Sequence, residues 1–205
     1  MMYDLELKNA TSIPGWESIF KNWHTQIQTS FDLSKGLDSP FIHAEHGNTH
    51  ILGVAAALAG FGTIREVIGK RNNHDARLDL CLISDGKIDL VEAKWMEFDG
   101  KNYSMYKKIG SQLESALTDV STYQNSHPLY ANVTITKRKI GVAFIVPYFS
   151  PGCFDVNDLK MILSHIRSEI APDAMAWAFP DTSRNISYWG RDYPGVVALA
   201  SVLGK

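Results

Sequence analysis

The chain has almost no cysteine: among 205 residues only Cys81 and Cys153 carry a thiol. They lie far apart in sequence and neither belongs to a Cys-x-x-Cys pair, so a disulfide framework and a cysteine-built zinc site are excluded. A reduced, cytoplasmic protein is the simplest account. An excess of charge is also missing, since 20 Lys and Arg against 22 Asp and Glu leave a formal charge of −2. No general basic field draws the chain to nucleic acid or anionic lipid, and any polyanion it binds must meet a local patch. The opening residues MMYDLELKNATSIPGW contain early acids and no apolar stretch, which argues against a secretory signal. The longest apolar run, Ile51 to Phe61, falls far short of the ~20 residues that span a bilayer, so no membrane partner is expected. A phosphate loop of the Gly-x-x-x-x-Gly-Lys type is absent, so nothing suggests a nucleoside-triphosphatase. What is present is 45% hydrophobic residues without repeats or low-complexity tracts, enough to bury the core of one globular domain over residues 1–205.

The apolar periodicity changes along the chain. Trp16, Ile19, Phe20, Trp23, Ile27 and Phe31 recur at helical spacing and predict an amphipathic helix within an accessory segment, 14–35. Ser39 as N-cap and Pro40 at the first position predict a second helix to Ala59. Three strands follow, Thr63–Gly69, Arg77–Ser84 and Lys87–Trp95, the last two joined by the strong two-residue turn Asp85-Gly86. Helical spacing returns from Tyr106 to Tyr123. The run Ile140 to Tyr148 reads as a strand buried on both faces. A helix from Asp155 to Ile170 and a strand Ala174–Phe179 follow, while the tail from Asn185 to Val202 yields no assignment. Helices alternating with strands indicate an α/β domain with a mixed sheet flanked by helices.

Acids inside the apolar strands Arg-Leu-Asp-Leu-Cys-Leu and Asp-Leu-Val-Glu-Ala-Lys-Trp require an explanation, because burying an unpaired charge is costly. Alternation puts Glu92 and Lys94 on one face, and the hairpin allows Asp79 to lie beside them. Asp89 faces away from Glu92 and Asp75 precedes its strand, so both are weaker candidates. Two carboxylates and an ammonium in one pocket suit Mg²⁺, with Mn²⁺ as a substitute, because such hard ions take a few carboxylates, keep several waters and accept phosphate oxygens. Lys94 would then orient or deprotonate the attacking water, or offset charge on phosphate, which is the chemistry of phosphodiester hydrolysis.

The order helix, three meandering strands with Asp79 in the second and Glu92-Ala93-Lys94 in the third, then helix and strand, resembles the PD-(D/E)xK nuclease superfamily over about residues 39–148. The resemblance implies a restriction-endonuclease-like core, α-β-β-β-α-β, and a Mg²⁺-dependent deoxyribonuclease, most simply a DNA endonuclease. It implies that Asp79 and Glu92 hold the metal, that Glu45 on the preceding helix completes the site, that Lys94 is the motif's lysine, and that Gln112 on the following helix supports it. The sequence departs from some members: no proline precedes Asp79, and no tyrosine stands four residues after Gln112.

The competing signals are local. His46 and His50 are spaced i, i+4 with His43 and Glu45 nearby, a spacing able to chelate zinc in a hydrolase, but Glu45 precedes His46, so the order is not His-Glu-x-x-His. A catalytically inactive nuclease-like binding module is the other alternative. Lys101, Lys107, Lys108 and Arg71 are the candidate contacts to DNA phosphates, and Lys137-Arg138-Lys139 is a further basic run that more simply forms a solvated face. Trp16 and Trp23 read as core or dimer contacts, and the low net charge makes a homodimer or an accessory DNA-binding partner plausible.

Overall fold

The computed structural model describes residues 2–7, 12–124, 136–180 and 186–204. Strand β1, Met2–Leu7, precedes helix α1, Trp16–Leu33, whose Trp16, Ile19, Phe20, Trp23, Ile27 and Phe31 are all buried, the stripe that the periodicity predicts. The second predicted helix is broken. Pro40–Ile42 forms a single 3₁₀ turn, and α2 proper runs Ala44–Leu58. The cause is local: Pro40 starts the 3₁₀ turn, His43 leaves helical geometry, and Ala44 is held at a positive φ of 54°. The Ser39 side chain makes no capping hydrogen bond.

Strands β2 (Gly62–Arg71), β3 (His74–Ser84) and β4 (Lys87–Asp99) then form the expected antiparallel meander, each longer than its apolar run suggests. Gly86, at φ 65°, makes the β3–β4 turn. Helix α3, Tyr106–Thr122, leads through the two-residue strand β5, Tyr123–Gln124, to β6, Thr136–Tyr148. Strand β6 pairs parallel to β4 from Lys87↔Thr136 to Asp99↔Tyr148. Helix α4 begins with the capping box of Asp155 and Asp158, runs Val156–His165, and closes in a π turn, Ile166–Ile170, ended by Ala171 at φ 49°. Strand β7 is Ala174–Phe179; the unassigned tail supplies β8 (Ile186–Tyr188), β9 (Arg191–Tyr193) and β10 (Val196–Val202), with Asn185 outside the described residues.

The result is an α/β architecture with a large mixed sheet, in the order β1-β7-β10-β6-β4-β3-β2-β5, flanked by helices. One face carries α1 and α2, with Trp16, Trp23, Phe20 and Phe144 in its core; the other carries α3 and α4 over Ile109, Leu113, Ala143 and Ile145. Both tryptophans of α1 are core residues. Among the described residues no helix is long and apolar enough to cross a membrane.

Candidate functional site: a fork between two strands

Strands β3 and β4 are hydrogen-bonded only from Ser84↔Lys87 to Leu80↔Val91. Beyond that point β3 continues beside β2 down to His74, and β4 continues beside β6 up to Asp99. The sheet therefore forks, and the first residues past the last pair are Asp79 and Glu92. Asp79 sits in the fork, its carboxylate accepting the Ala93 N–H at 2.7 Å, which occupies a backbone donor that the parting strands leave without a ladder partner. Glu92, almost fully buried, and Lys94 leave β4 on the α3 side. The Lys94 ammonium donates to Glu92 Oε1 at 3.1 Å and lies 2.8 Å from Asp119 Oδ2 on α3.

Gly141 allows that approach. It lies opposite Glu92 in the β4–β6 register, and a Cβ there would stand 2.8 Å from Leu117 Cγ and 2.9 Å from the Leu117 backbone nitrogen. The bare backbone lets α3 settle on β6 and brings Asp119 down to Lys94. Arg71, at the end of β2, reaches into the same place: its Nη2 is 2.9 Å from Glu92 Oε2. The two atoms are close but not aligned as a hydrogen bond, and among the described residues Glu92 Oε2, Arg71 Nε and Arg71 Nη2 are buried without one.

The electrostatics follow from the burial. Burial raises the Asp79 carboxyl above its usual range against the pull of the Ala93 N–H, and the nearby Glu45 carboxylate adds to the rise. Glu92 is raised by burial and then by Asp79, more than Lys94 and Arg71 lower it. Glu45, in the first turn of α2, is raised by burial and feels Lys94, Glu92, His46 and Asp119. Burial alone would lower Lys94, but its hydrogen bond to Asp119 and the charge of Glu92 prevail and raise it, so the amine is held as an ammonium. Asp79, Glu92, Lys94 and Glu45 thus share one electrostatic neighbourhood. Among the described residues, no three His, Cys, Asp or Glu side chains are gathered as a metal cage.

The other sequence candidates lie elsewhere. Gln112 is on α3, seven residues before Asp119, which is two turns or roughly 10 Å along the helix. Lys107 and Lys108 are exposed in the first turn of α3, a further turn away. Lys101 is engaged with Asp158 of the α4 cap at 2.6 Å. In the histidine cluster, His50 Nδ1 accepts from Arg65 at 3.0 Å and His43 pairs with Asp38 at 2.7 Å, so each already has a partner other than a metal. Asp75 is an exposed partner of Lys70. Asp89 points to the α1 side, where Arg138 donates to it twice at 2.6 Å and Trp16 Nε1 once at 3.0 Å. Lys139 donates to the carbonyls of Ser121 and Tyr123 at the end of α3. The basic run at 137–139 is therefore largely internal wiring. Burial and then Asp89 push the Cys81 thiol to about 11, which leaves it inert at neutral pH. Asp119 carried no sequence signal: it is one polar residue on an amphipathic helix, and only the packing of α3 on Gly141 reveals its role. No protein-family description matches the chain, and no curated protein is significantly similar to it.

Proposed function

We propose that the chain is a metal-dependent nuclease that hydrolyses phosphodiester bonds, with DNA as the substrate that its resemblance to PD-(D/E)xK nucleases implies. The helix α2, the meander β2-β3-β4, the crossover α3 and the parallel strand β6 follow the order of that core. The observation that carries the reading is the convergence of Asp79, Glu92 and Lys94 at the fork, with one oxygen of Glu92 buried and lacking a hydrogen bond.

That donor set suits a hard dication: both candidate ligands are carboxylates, and Glu92 Oε2, in charge contact with Arg71 but without a hydrogen bond, can turn to a cation. Asp79 and Glu92 would hold Mg²⁺ or Mn²⁺ directly, and Glu45 would do so through water. When bound, the ion would polarise phosphate oxygens and make a bound water more acidic. The remaining work falls to the chain. Because Asp119 and Glu92 keep Lys94 protonated, Lys94 serves as a fixed positive charge that orients the attacking water and offsets charge at the phosphorus, not as a base. Asp79 also fixes the backbone of β4 through Ala93 and so sets where Glu92 and Lys94 leave the strand.

Calorimetric Mn²⁺ binding and plasmid nicking, measured on the same preparations, test this. Lys94→Ala should keep its fold and bind metal while losing about 10²–10³ in rate, the usual cost of removing one fixed group that stabilises developing charge; Asp79→Ala should lose metal and cleavage together. Wild-type nicking by Lys94→Ala would refute the assignment. A second reading, a nuclease-like module without turnover, draws support from the ion pairs by which Arg71 and Asp119 offset the charges of Glu92 and Lys94 within the protein itself. Mn²⁺ binding with no turnover of any DNA would favour it.

A further inference from the structure

Each of the two buried acids of β4, Asp89 and Glu92, is paired with an arginine, and the two pairs differ in kind. Arg138 grips Asp89 with two parallel hydrogen bonds at 2.6 Å, adds a third to the Ser12 carbonyl, and shares Asp89 with Trp16; both side chains are nearly or fully buried. This is the strong fork-to-fork geometry of a permanent lock. Arg71 meets Glu92 through a single 2.9 Å contact out of hydrogen-bond alignment, and it leaves its own Nε and Nη2 unbonded. Arg71 also ends β2 immediately before the Asn72-Asn73 turn, whose residues stand at φ 51° and 67°, so its partner is held from a hairpin tip beyond the fork. The Arg71 side chain is one-quarter exposed, although its Nε and Nη2 are buried, while the Glu92 side chain is 94% buried, so the arginine has a way out and the carboxylate has not.

From this contrast we infer that Arg71 is the resident counter-ion of Glu92 in the metal-free site, exchanged for a divalent cation on loading and thereby released to bind a substrate phosphate through its free Nε and Nη2 edge. The inference rests on the metal-dependent reading above and adds an order of events to it. Glu92 Oε2 cannot serve the guanidinium and a dication equally, since the two cations repel each other across the same oxygen. A guanidinium turned away from Glu92 presents the donor pair that matches two phosphate oxygens. DNA phosphate would therefore bind the loaded site better than the empty one, although Arg71 belongs to both.

Two measurements on the full chain decide the matter. In Mn²⁺ calorimetry, Arg71→Ala and Arg71→Gln should bind the ion about tenfold more tightly than wild type, because the competitor is gone, while Arg71→Lys should stay near wild type. The two neutral variants guard against one of them failing to fold, which circular dichroism reports. In fluorescence anisotropy with a short labelled DNA duplex, Arg71→Gln should bind like wild type in EDTA and several-fold more weakly in Ca²⁺, a hard dication that takes the same carboxylate oxygens. Unchanged or weaker Mn²⁺ affinity in both neutral variants overturns the exchange and leaves the nuclease reading standing. An equal loss of DNA affinity in EDTA and Ca²⁺ also overturns it, since Arg71 would then be a permanent phosphate contact. Absence of Mn²⁺ binding by wild type overturns the exchange and the metal-dependent reading together.

Discussion

Arg138→Met separates internal wiring from a nucleic-acid track, because the two roles of a basic residue predict opposite outcomes. In the structure Arg138 supplies both short hydrogen bonds to an Asp89 that is 1% exposed; without it, among the described residues, the carboxylate keeps the Trp16 indole N–H at 3.0 Å. Breaking a buried pair by removing one partner costs about 3–5 kcal/mol, because the remaining charge is left uncompensated. For a chain of this length 1 kcal/mol corresponds to about 2–4 °C in melting temperature, so a fall of roughly 6–20 °C is expected. The Trp16 bond favours the lower half of that range. Urea denaturation and thermal melts followed by circular dichroism give the number, and the salt slope of DNA binding, measured below the transition, should be unchanged. The double variant Asp89→Leu/Arg138→Met removes both charges and should recover most of the loss. A single variant that loses less than about 1 kcal/mol, or a double variant as unstable as the single, would refute the account of Asp89 and Arg138 as a buried lock. A reduced salt slope in a fully stable Arg138→Met would instead make Arg138 a phosphate contact.

The raised carboxyls carry a sign of their own. Asp79 holds its proton more tightly in the folded chain than in the unfolded one, so its contribution to stability is full below the unfolded value of about 4 and is lost as pH rises through the raised folded value. Asp79→Asn keeps an acceptor for the Ala93 N–H but not the charge; in EDTA it should melt above wild type at neutral pH, with the gap closing towards pH 4, and added Mn²⁺ should stabilise wild type alone. Melting below wild type throughout that range would contradict the buried-charge argument. Gly141→Ala should cost about 1–3 kcal/mol, because the new methyl meets the Leu117 backbone, which cannot swing aside, and it should lower nicking as α3 lifts Asp119 away from Lys94. Urea melts and the nicking assay on one preparation check both effects.

The parts of this molecule that are legible in sequence are those fixed by near neighbours. The stripe from Trp16 to Phe31, the Asp85-Gly86 turn and the apolar run of β6 each declare themselves within a few residues, and each is present in the structure. So does the anomaly of charges within apolar strands, which is why Asp79, Glu92 and Lys94 stand out without any partner in view. The fork does not declare itself, because it depends on β3 preferring β2 and β4 preferring β6 beyond Leu80 and Val91, a competition between ladders contributed by segments far apart in sequence. Asp119 is hidden for the same reason, and so is the pairing of Arg71, which the sequence offers only as a phosphate contact: their meaning comes from Lys94 and Glu92, 25 and 21 residues away. Strand β1 is short and partly charged, and it acquires its place only by pairing with β7 near the other end of the chain. The break between Ile42 and Ala44 shows a local signal misread: Pro40 does begin a helical turn, but the chain leaves it at His43 before α2 starts.

Strand β4 contains its own control for the functional reading. It buries two acids, Asp89 and Glu92, on opposite faces of one strand three residues apart, so length, register and sheet environment are nearly common to both. Asp89 has an aligned partner for each oxygen. Glu92 sits among three charged side chains, two of them cations, and still has an oxygen without a hydrogen bond. A chain that could give Asp89 a bidentate arginine and an indole had the means to satisfy Glu92 as well, since Arg71 already stands 2.9 Å away and needs only realignment. Stability alone gives no reason for the difference, because a half-satisfied buried carboxylate is less favourable than a fully bonded one or an apolar residue. A transferable oxygen does give a reason: a carboxylate that must change cations cannot be locked to either of them. The weakness of the Arg71–Glu92 contact is in this sense the structural counterpart of the binding event that the site is proposed to perform, while the strength of Arg138–Asp89 shows what the same strand does where no exchange is required.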